Sequence, residues 1–420
     1  MSILFVDHDP TALLLLEDEL SLSDVEWDWE MVGSAEEALE RLIQGRFEAV
    51  VTALDLPRMS GSELLKHVNA RFPDVLRIAL TATGHQQSAL PAVDSAHQIL
   101  AKPFRLDVLR GTIDRAICVR DMILSDSLQR VIGGLSSLPS VPSVYQELTQ
   151  AIRDDESSLQ ALGAIVSKDA AMTAKVLQIV NSAVFCLGKR VTEPTKAVAL
   201  LGAETLKSLV LAIGVFQAFE STDSHGLSAD KMMHHGMHVA KLTRAICQLE
   251  GLEESEREAA VTAATLHDTG KLILNAVDAD AYQTVLKLSE QEGAPLWQIE
   301  RRIFGADHAG AGAALFSIWG LPQRIVEIVA LHHDPINAFE NTFSSLTAVV
   351  AANTLCSEFE DASQGEMMLS HSSLEKNPDL VAYFAGINCC DRVGDWKSLA
   401  LQQLQLSELA AENQRTAQDT

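Results

Sequence analysis

Ala264-Thr265-Leu266-His267-Asp268-Thr269-Gly270-Lys271 places an adjacent His-Asp pair between two helix-forming stretches. Glu258–Ala263 precede it as good helix formers, and Leu272–Leu274 follow as an apolar run. An imidazole next to a carboxylate suits a borderline divalent cation. Gly270 allows a sharp bend, and Lys271 brings a positive charge to which a phosphate could bind. By itself, however, a His-Asp pair is usually only a surface or helix-end dipeptide.

Four further histidines make the pair more informative: His235 upstream, and His308, His332 and His333 downstream. His235 shares one face of a predicted helix with three apolar residues at four-three-four spacing, so we expect it to point into the core. His234 and His238 form a competing i, i+4 pair, which could bind metal but is predicted to face solvent. The histidines therefore indicate a buried cluster around the His-Asp pair.

The order His…His-Asp-x-Gly-Lys…His…His-His resembles the HD superfamily of metal-dependent phosphohydrolases. Over residues 131–340 the sequence resembles the HDOD family, a helical subgroup found in bacterial signalling proteins. The most specific motifs lie outside the metal pattern: Leu138–Pro142, Ile165–Leu177, Val180–Ala183 and Ala197–Gly202. The resemblance predicts an all-α domain with a signalling role.

The resemblance also implies a divalent metal site for iron, manganese or zinc. His235, His267 and Asp268 would bind one cation together with a distant Asp, and His308, His332 and His333 would help a second, with Asp268 bridging. Lys271 would steady the oxygens of a phosphodiester attacked by an activated water. The distant Asp should fall in the helix 346–353, where this chain has Asn353, an amide that brings no charge.

Three hypotheses therefore compete for this cluster. The first is a retained metal site, with or without activity. The second, contained in it, is a phosphohydrolase acting on a nucleotide or cyclic dinucleotide. The third is a set of core histidines satisfied by hydrogen bonds.

The first hundred residues alternate short apolar runs with helical patterns. Strands are predicted at Ser2–Val6, Trp27–Val32, Phe47–Thr52, Val75–Leu80 and Gln98–Ala101. This rhythm is typical of a doubly wound, five-stranded parallel sheet with helices on both faces. Such flavodoxin-like sheets carry their functional residues at the carboxyl ends of the strands.

At those strand ends, residues 1–118 resemble a response-regulator receiver domain. The matching pocket residues are Asp7, Thr81, Lys102-Pro103 and the turn Pro57-x-Met59-x-Gly61. The second acid of the pocket is replaced by His8, although Asp9 follows it. The position of the phosphoacceptor, four residues before Pro57, is Ala53.

Ala53 determines the interpretation of this pocket. Phosphotransfer needs a carboxylate nucleophile and an oxygen-rich cradle for Mg²⁺. Ala53 supplies neither, so we do not expect Mg²⁺ there, and Asp55 lies two residues further along, in the loop. Thr81 and Lys102 would be structural, with Lys102 pairing with Asp7. The sequence predicts a pseudo-receiver that works by contact.

The predicted organisation has five parts: a receiver-like domain (1–118), an extended linker helix (105–133), an HDOD domain (134–345), C-terminal helices that complete it (346–410) and a disordered tail (411–420). The linker could carry orientation between domains, form a homodimer seam or act as a plain spacer.

Composition narrows the function further. The formal net charge of −25 argues against direct nucleic-acid contact and favours protein partners. The six cysteines are scattered and show no CxxC spacing. Neither a membrane span nor a signal peptide is expected, so we predict a cytoplasmic protein. We predict a signalling regulator acting through protein contacts, with the metal phosphohydrolase as the alternative.

Overall fold

The structure is a computed structural model, and it describes residues 1–23, 25–72, 75–82, 96–135, 141–153, 158–181, 191–219, 227–364 and 377–403. These form two compact units, Met1–Arg120 and Asp121–Thr420. The predicted tail (411–420) and the motif residues 138–140 and 182–183 lie outside the described part. Within that part no single helix is long and apolar enough to cross a membrane, although the bent pair Pro194–Leu201 and Ala203–Phe219 together have sufficient length and apolar character.

The first unit contains a parallel sheet of five strands in the order β2-β1-β3-β4-β5. The strands are β1 (Ser2–Val6), β2 (Asp28–Val32), β3 (Ala49–Ala53), β4 (Leu76–Ala82) and β5 (Gln98–Lys102). The predicted doubly wound parallel sheet is confirmed. The start of the third strand was predicted at Phe47, two residues before its observed start at Ala49. Phe47 lies in the loop before β3, and its burial makes it resemble a strand residue.

Both faces of the sheet are covered by apolar side chains. Along β1, Leu4 and Val6 belong to one core cluster, and Ile3 and Phe5 belong to another. This alternation follows from the two-residue period of a strand. Among the described residues of this unit, four helices pack around the sheet: α1 (Pro10–Leu22), α2 (Ala35–Gln44), α3 (Gly61–Arg71) and α4 (Leu106–Leu124).

The linker predicted as one extended helix over residues 105–133 is divided in the structure. Helix α4 ends at Leu124, and α5 (Asp126–Gly133) begins after Ser125. The Ser125 hydroxyl accepts a hydrogen bond from the Leu128 amide, so Ser125 caps the second helix. The apolar periodicity continues across this break, which is why periodicity alone did not locate it.

The second unit is helical in every described element. The helices are α6 (Ser143–Arg153), α7 (Leu159–Ser167), α8 (Ala170–Val180), α9 (Pro194–Leu201), α10 (Ala203–Phe219), α11 (Ala229–Leu249), α12 (Glu254–Leu266), α13 (Gly270–Val277), α14 (Ala279–Glu292), α15 (Leu296–Phe304), α16 (His308–Ile318), α17 (Gln323–Leu331), α18 (Ser345–Gln364) and α19 (Pro378–Gly386). Residues 393–403 are also helical. This architecture agrees with the predicted all-α domain.

One motif residue outside the histidine cluster has a clear structural task. Asn181 ends α8; its amide donates to the Leu177 and Val191 carbonyls, and its oxygen accepts from the Val191 amide, all at 2.7 Å. The Asn181 side chain therefore connects the end of α8 to the segment that begins at Val191.

Candidate metal centre

Five helices bring the predicted ligands to one place. The ligands are supplied by α11 (His235), the turn after α12 (His267, Asp268), the start of α16 (His308), the turn after α17 (His332, His333) and α18 (Asn353). They line a cleft of about 1070 Å³, except for His267, which lies fully buried beside it.

Gly270 allows the two central segments to meet. A Cβ atom at this position would lie 1.8 Å from the backbone oxygen of His308, so any side chain would separate α13 from α16. The bend that the sequence assigned to Gly270 is therefore a close packing contact. It brings His308 beside Asp268, with the imidazole Nε2 3.2 Å from the carboxylate Oδ1.

The ligand atoms form two adjoining groups. Asp268, His308, His332 and His333 make one, and His235, His267 and Asp268 make the other; within each group the donor atoms lie within 4.8 Å of one another. Asp268 belongs to both, as expected of a bridging carboxylate. A set of imidazoles with one carboxylate suits zinc, iron or manganese better than a hard oxygen-seeking cation.

Two buried nitrogen atoms test whether these residues suit a cation. The Nδ1 atoms of His267 and His332 donate to the Ala264 and Val329 carbonyls, both at 2.7 Å. Their Nε2 atoms are buried and have no hydrogen-bond partner. Each Nε2 therefore keeps its lone pair, and each belongs to a different ligand group. A metal would satisfy these lone pairs, and backbone-oriented imidazoles are typical of metal ligands.

The electrostatics of the cluster favour neutral His267, His332 and His333 rings beside an ionised Asp268. Burial lowers the pKa of His267 to about 4 and the pKa values of His332 and His333 well below their usual range. Burial alone would raise the pKa of Asp268, but His267 and Lys271 hold it well below its ordinary value. Neutral imidazole and ionised carboxylate are the forms that bind cations.

Sequence reasoning missed Glu300, which is fully buried and contacts His308. Its Oε2 accepts from the His308 ring Nδ1 at 2.5 Å and from the His308 amide at 2.8 Å. Although burial opposes the charged ring, the Glu300 carboxylate raises the pKa of His308 to about 9. Nothing in the local sequence distinguishes Glu300 from the exposed Glu290 and Glu292 on the preceding helix.

Lys271 lines the cleft, and its Nζ lies 2.7 Å from Asp268 Oδ2. Lys271, which the sequence suggested as a phosphate-binding residue, is thus paired with Asp268, the carboxylate common to both groups. Trp297 stacks on His333 with ring centroids 5.8 Å apart, and the Arg301 guanidinium lies 4.6 Å from the Trp297 ring centroid. Neither Trp297 nor Arg301 was identified from the sequence.

The remaining histidine predictions concern α11. His235 is half-buried and its Nε2 lies 3.0 Å from Asn353 Oδ1, so the structure brings these two residues together. His234 is exposed, and His238 is half-buried. His235 is thus the histidine of this helix that belongs to the cluster.

The predicted receiver pocket lies at the carboxyl ends of the strands in the first unit. Asp7 is buried, and Lys102 Nζ contacts its Oδ2, which is the pairing that the sequence suggested. The Asp9 amide donates to Asp7 Oδ1 at 3.1 Å, and the Asp9 carboxylate caps α1. Thr81 is buried near the end of β4.

Ala53 is the last residue of β3 and is fully buried. A Cβ on Gly61 would lie 2.0 Å from the Ala53 backbone oxygen, so the turn after β3 packs tightly on this strand end. Asp55 is exposed in that turn. The structure therefore separates Asp55 from the strand-end position that Ala53 occupies.

The two units match two separate families. Residues 138–335 match the family model of the HDOD domain, and residues 3–114 match that of the response regulator receiver domain. An uncharacterized protein of Treponema pallidum is 22% identical over 246 residues, which are 58% of this chain and 47% of that protein. The regulatory protein LuxO of Vibrio cholerae is 28% identical over 134 residues, which are 31% of this chain and 30% of LuxO. The chain thus spans about half or less of the length of these relatives.

Two solved structures share the fold. An HDOD domain protein from Geobacter sulfurreducens superposes with a TM-score of 0.53 at 20% identity, covering 68% of this chain and 96% of that one. A candidate signal transduction protein from Marinobacter aquaeolei VT8 gives 0.51 at 14% identity, covering 90% and 87%. At these identities the similarity shows the fold alone.

Proposed function

We propose that the receiver domain of this chain controls its HDOD domain through protein contacts, without accepting a phosphoryl group. The chain joins a response regulator receiver domain to an HDOD domain and is a signalling protein of the two-component type. The partners are proteins of a signalling pathway, and a second copy of the chain meeting along the linker helices is one such contact.

The observation that carries this proposal is Ala53. A methyl group at the end of β3 can neither attack a phosphoryl donor nor bind Mg²⁺. The nearest following carboxylate, Asp55, is exposed in the turn, whereas Ala53 is fully buried. Moving Asp55 to the strand end would require a shift of the turn that Gly61 packs against β3.

The ion pair in the pocket supports the same proposal. Asp7 and Lys102 contact each other directly, so each supplies the countercharge of the other. With Asp7 paired to Lys102 and Ala53 uncharged, these two positions offer less negative charge to Mg²⁺ than two free carboxylates would.

Beryllofluoride with Mg²⁺ tests this proposal because it mimics a phosphoryl group bound to an aspartate. Fluorine-19 NMR of the full chain should show only free beryllofluoride. Ala53→Asp is the positive control and should give a bound signal. A bound signal in the wild-type chain that disappears in Asp55→Asn would refute the proposal.

A second candidate function is a metal-dependent phosphohydrolase in the HDOD domain, acting on a nucleotide or cyclic dinucleotide. It is favoured by the two buried Nε2 atoms of His267 and His332, which have lone pairs and no hydrogen-bond partner. A divalent cation held by the cluster would supply Lewis acidity towards a phosphoryl oxygen.

The chain's own residues would then divide the remaining work. Asp268 contributes to both ligand groups, and Lys271, bonded to Asp268, lies where it could also bind a phosphate oxygen. His333 and Trp297 line the cleft and are both partly exposed to solvent, so a phosphoester could approach the candidate ligands there.

Elemental analysis and a generic substrate test this second candidate. Protein purified without added metal should contain iron, manganese or zinc near stoichiometry, and His267→Ala should lose it. Hydrolysis of bis(p-nitrophenyl) phosphate by the metal-loaded wild type, absent in His267→Ala, would support the enzyme. A wild-type chain that binds none of these metals would exclude it.

A further inference from the structure

The side chain of Glu300 is fully buried, and both of its carboxylate oxygens accept hydrogen bonds. Its Oε2 accepts from the ring Nδ1 and the amide of His308, and its Oε1 accepts from the Tyr282 hydroxyl at 2.9 Å. Tyr282 is also fully buried. Burying an ionised carboxylate is costly unless it is hydrogen-bonded and compensated by charge, so this arrangement is specific.

The local fold explains how Glu300 reaches His308. Helix α15 ends at Phe304, and the next residue, Gly305, has a φ of 74°, the left-handed conformation that favours glycine. Asp307 caps the start of α16 by accepting from the Gly310 amide at 2.8 Å, and it binds Arg301 Nε at 2.7 Å. This turn folds α16 back so that its first residue, His308, faces Glu300.

The ring contact distinguishes His308 from the other oriented ligands. His267 and His332 donate from Nδ1 to neutral backbone carbonyls, whereas His308 donates to a carboxylate. A carboxylate behind an imidazole fixes the position of its proton and makes its other nitrogen a stronger ligand. A role limited to helix capping would need only the backbone contact.

We propose that Glu300 is a positioning residue that keeps a proton on His308 Nδ1 and thereby orients His308 Nε2 towards a divalent cation, with Tyr282 holding Glu300 in place. This inference rests on the proposed metal centre. It adds a buried negative charge to a ligand set in which Asp268 is the carboxylate that both groups share.

Cobalt binding to the full chain tests the proposal, because the visible absorption of bound Co²⁺ reports on its ligands. Glu300→Gln keeps the shape but removes the charge, and it should weaken Co²⁺ binding by about 10- to 100-fold. Glu290→Gln, an exposed glutamate that lines the same cleft, is the matched control and should bind like wild type. Equal affinity in Glu300→Gln and wild type would overturn the proposal.

A second variant covers the case in which Glu300→Gln does not fold. Tyr282→Phe removes one hydrogen bond to Glu300 and should weaken Co²⁺ binding by about threefold. A Tyr282→Phe chain that is folded and binds Co²⁺ as tightly as wild type would count against the proposed support of Glu300.

Nitrogen-15 NMR of the histidine rings separates this inference from the metal proposal. In the metal-free wild-type chain His308, assigned through His308→Asn, should carry a proton on Nδ1, and Glu290→Gln should leave this unchanged. A bare Nδ1 on His308 would overturn the inference. If the wild type bound no Co²⁺, the metal centre would fail, while the NMR result would still decide the role of Glu300.

Discussion

His235 Nε2 lies 3.0 Å from Asn353 Oδ1, so α11 and α18 meet through a polar contact between two residues that line the cleft. The Asn353 oxygen accepts, and the His235 ring donates. A neutral amide can stabilise this contact and can ligate a cation, but it adds no negative charge to the cluster. The contact therefore fixes the geometry of this position and leaves its charge low.

Replacing Asn353 by aspartate should tighten cation binding. Asn353→Asp keeps the shape and adds a negative charge next to His235, so we expect Mn²⁺ affinity to rise about tenfold or more. Asn353→Ala should weaken it. Equilibrium dialysis followed by elemental analysis measures the Mn²⁺ affinity of both variants. If Asn353→Asp bound Mn²⁺ no more tightly than the wild type, Asn353 would lie too far from the cation to affect its binding.

Gly270→Ala should disrupt the cluster. The added Cβ would meet the backbone oxygen of His308 at 1.8 Å, and that backbone cannot move without separating α13 from α16. We expect a loss of stability of about 1–3 kcal/mol and a weaker Mn²⁺ site. Gly386→Ala is the control, because no heavy atom lies within 4 Å of its added Cβ. Gly270→Ala should unfold at a lower temperature than Gly386→Ala. Equal unfolding temperatures would contradict the close approach of Gly270 to His308.

The first unit (Met1–Arg120) should lose stability in acid, partly because His97 takes up a proton on unfolding. Burial, together with the positive Arg77, lowers the pKa of His97 to about 3 from a usual 6.5. Below about pH 6.5 His97 binds a proton in the unfolded chain but stays neutral in the folded chain. The free energy of unfolding therefore falls as the pH drops from about 6.5 towards 3. Hydrogen exchange of β4 and β5, corrected for intrinsic rates, should show this fall.

His97→Gln should make that fall shallower, because the glutamine has no proton to take up. His67→Gln, at an exposed site on α3, is the control and should follow the wild-type slope. Identical slopes in His97→Gln and wild type would show that His97 is not the responsible group.

The sheet was predictable from the sequence because its strands are short apolar runs between helical patterns. The first and last residues of the strands were harder to predict. Phe47 resembles the start of a strand, yet β3 begins at Ala49, where pairing with Leu76 sets the register. Ser125 divides the linker through a side-chain cap within an unbroken apolar pattern.

The clustering of these histidines around Asp268 was predictable because their order along the chain follows a known pattern. Glu300 was not, because its burial depends on Tyr282 and His308, which approach from other helices. The pairing of Lys271 with Asp268 depends on the turn between α12 and α13. Contacts of this kind arise from packing, and composition and spacing do not reveal them.

The most direct test of the contact-only receiver is the intact mass of the full chain after incubation with acetyl phosphate and Mg²⁺. Because Ala53 offers no carboxylate at the end of β3, we predict an unchanged mass for the wild type and the addition of one phosphoryl group in Ala53→Asp. A stoichiometric phosphoryl group on the wild-type chain, lost in Asp55→Asn, would contradict the account.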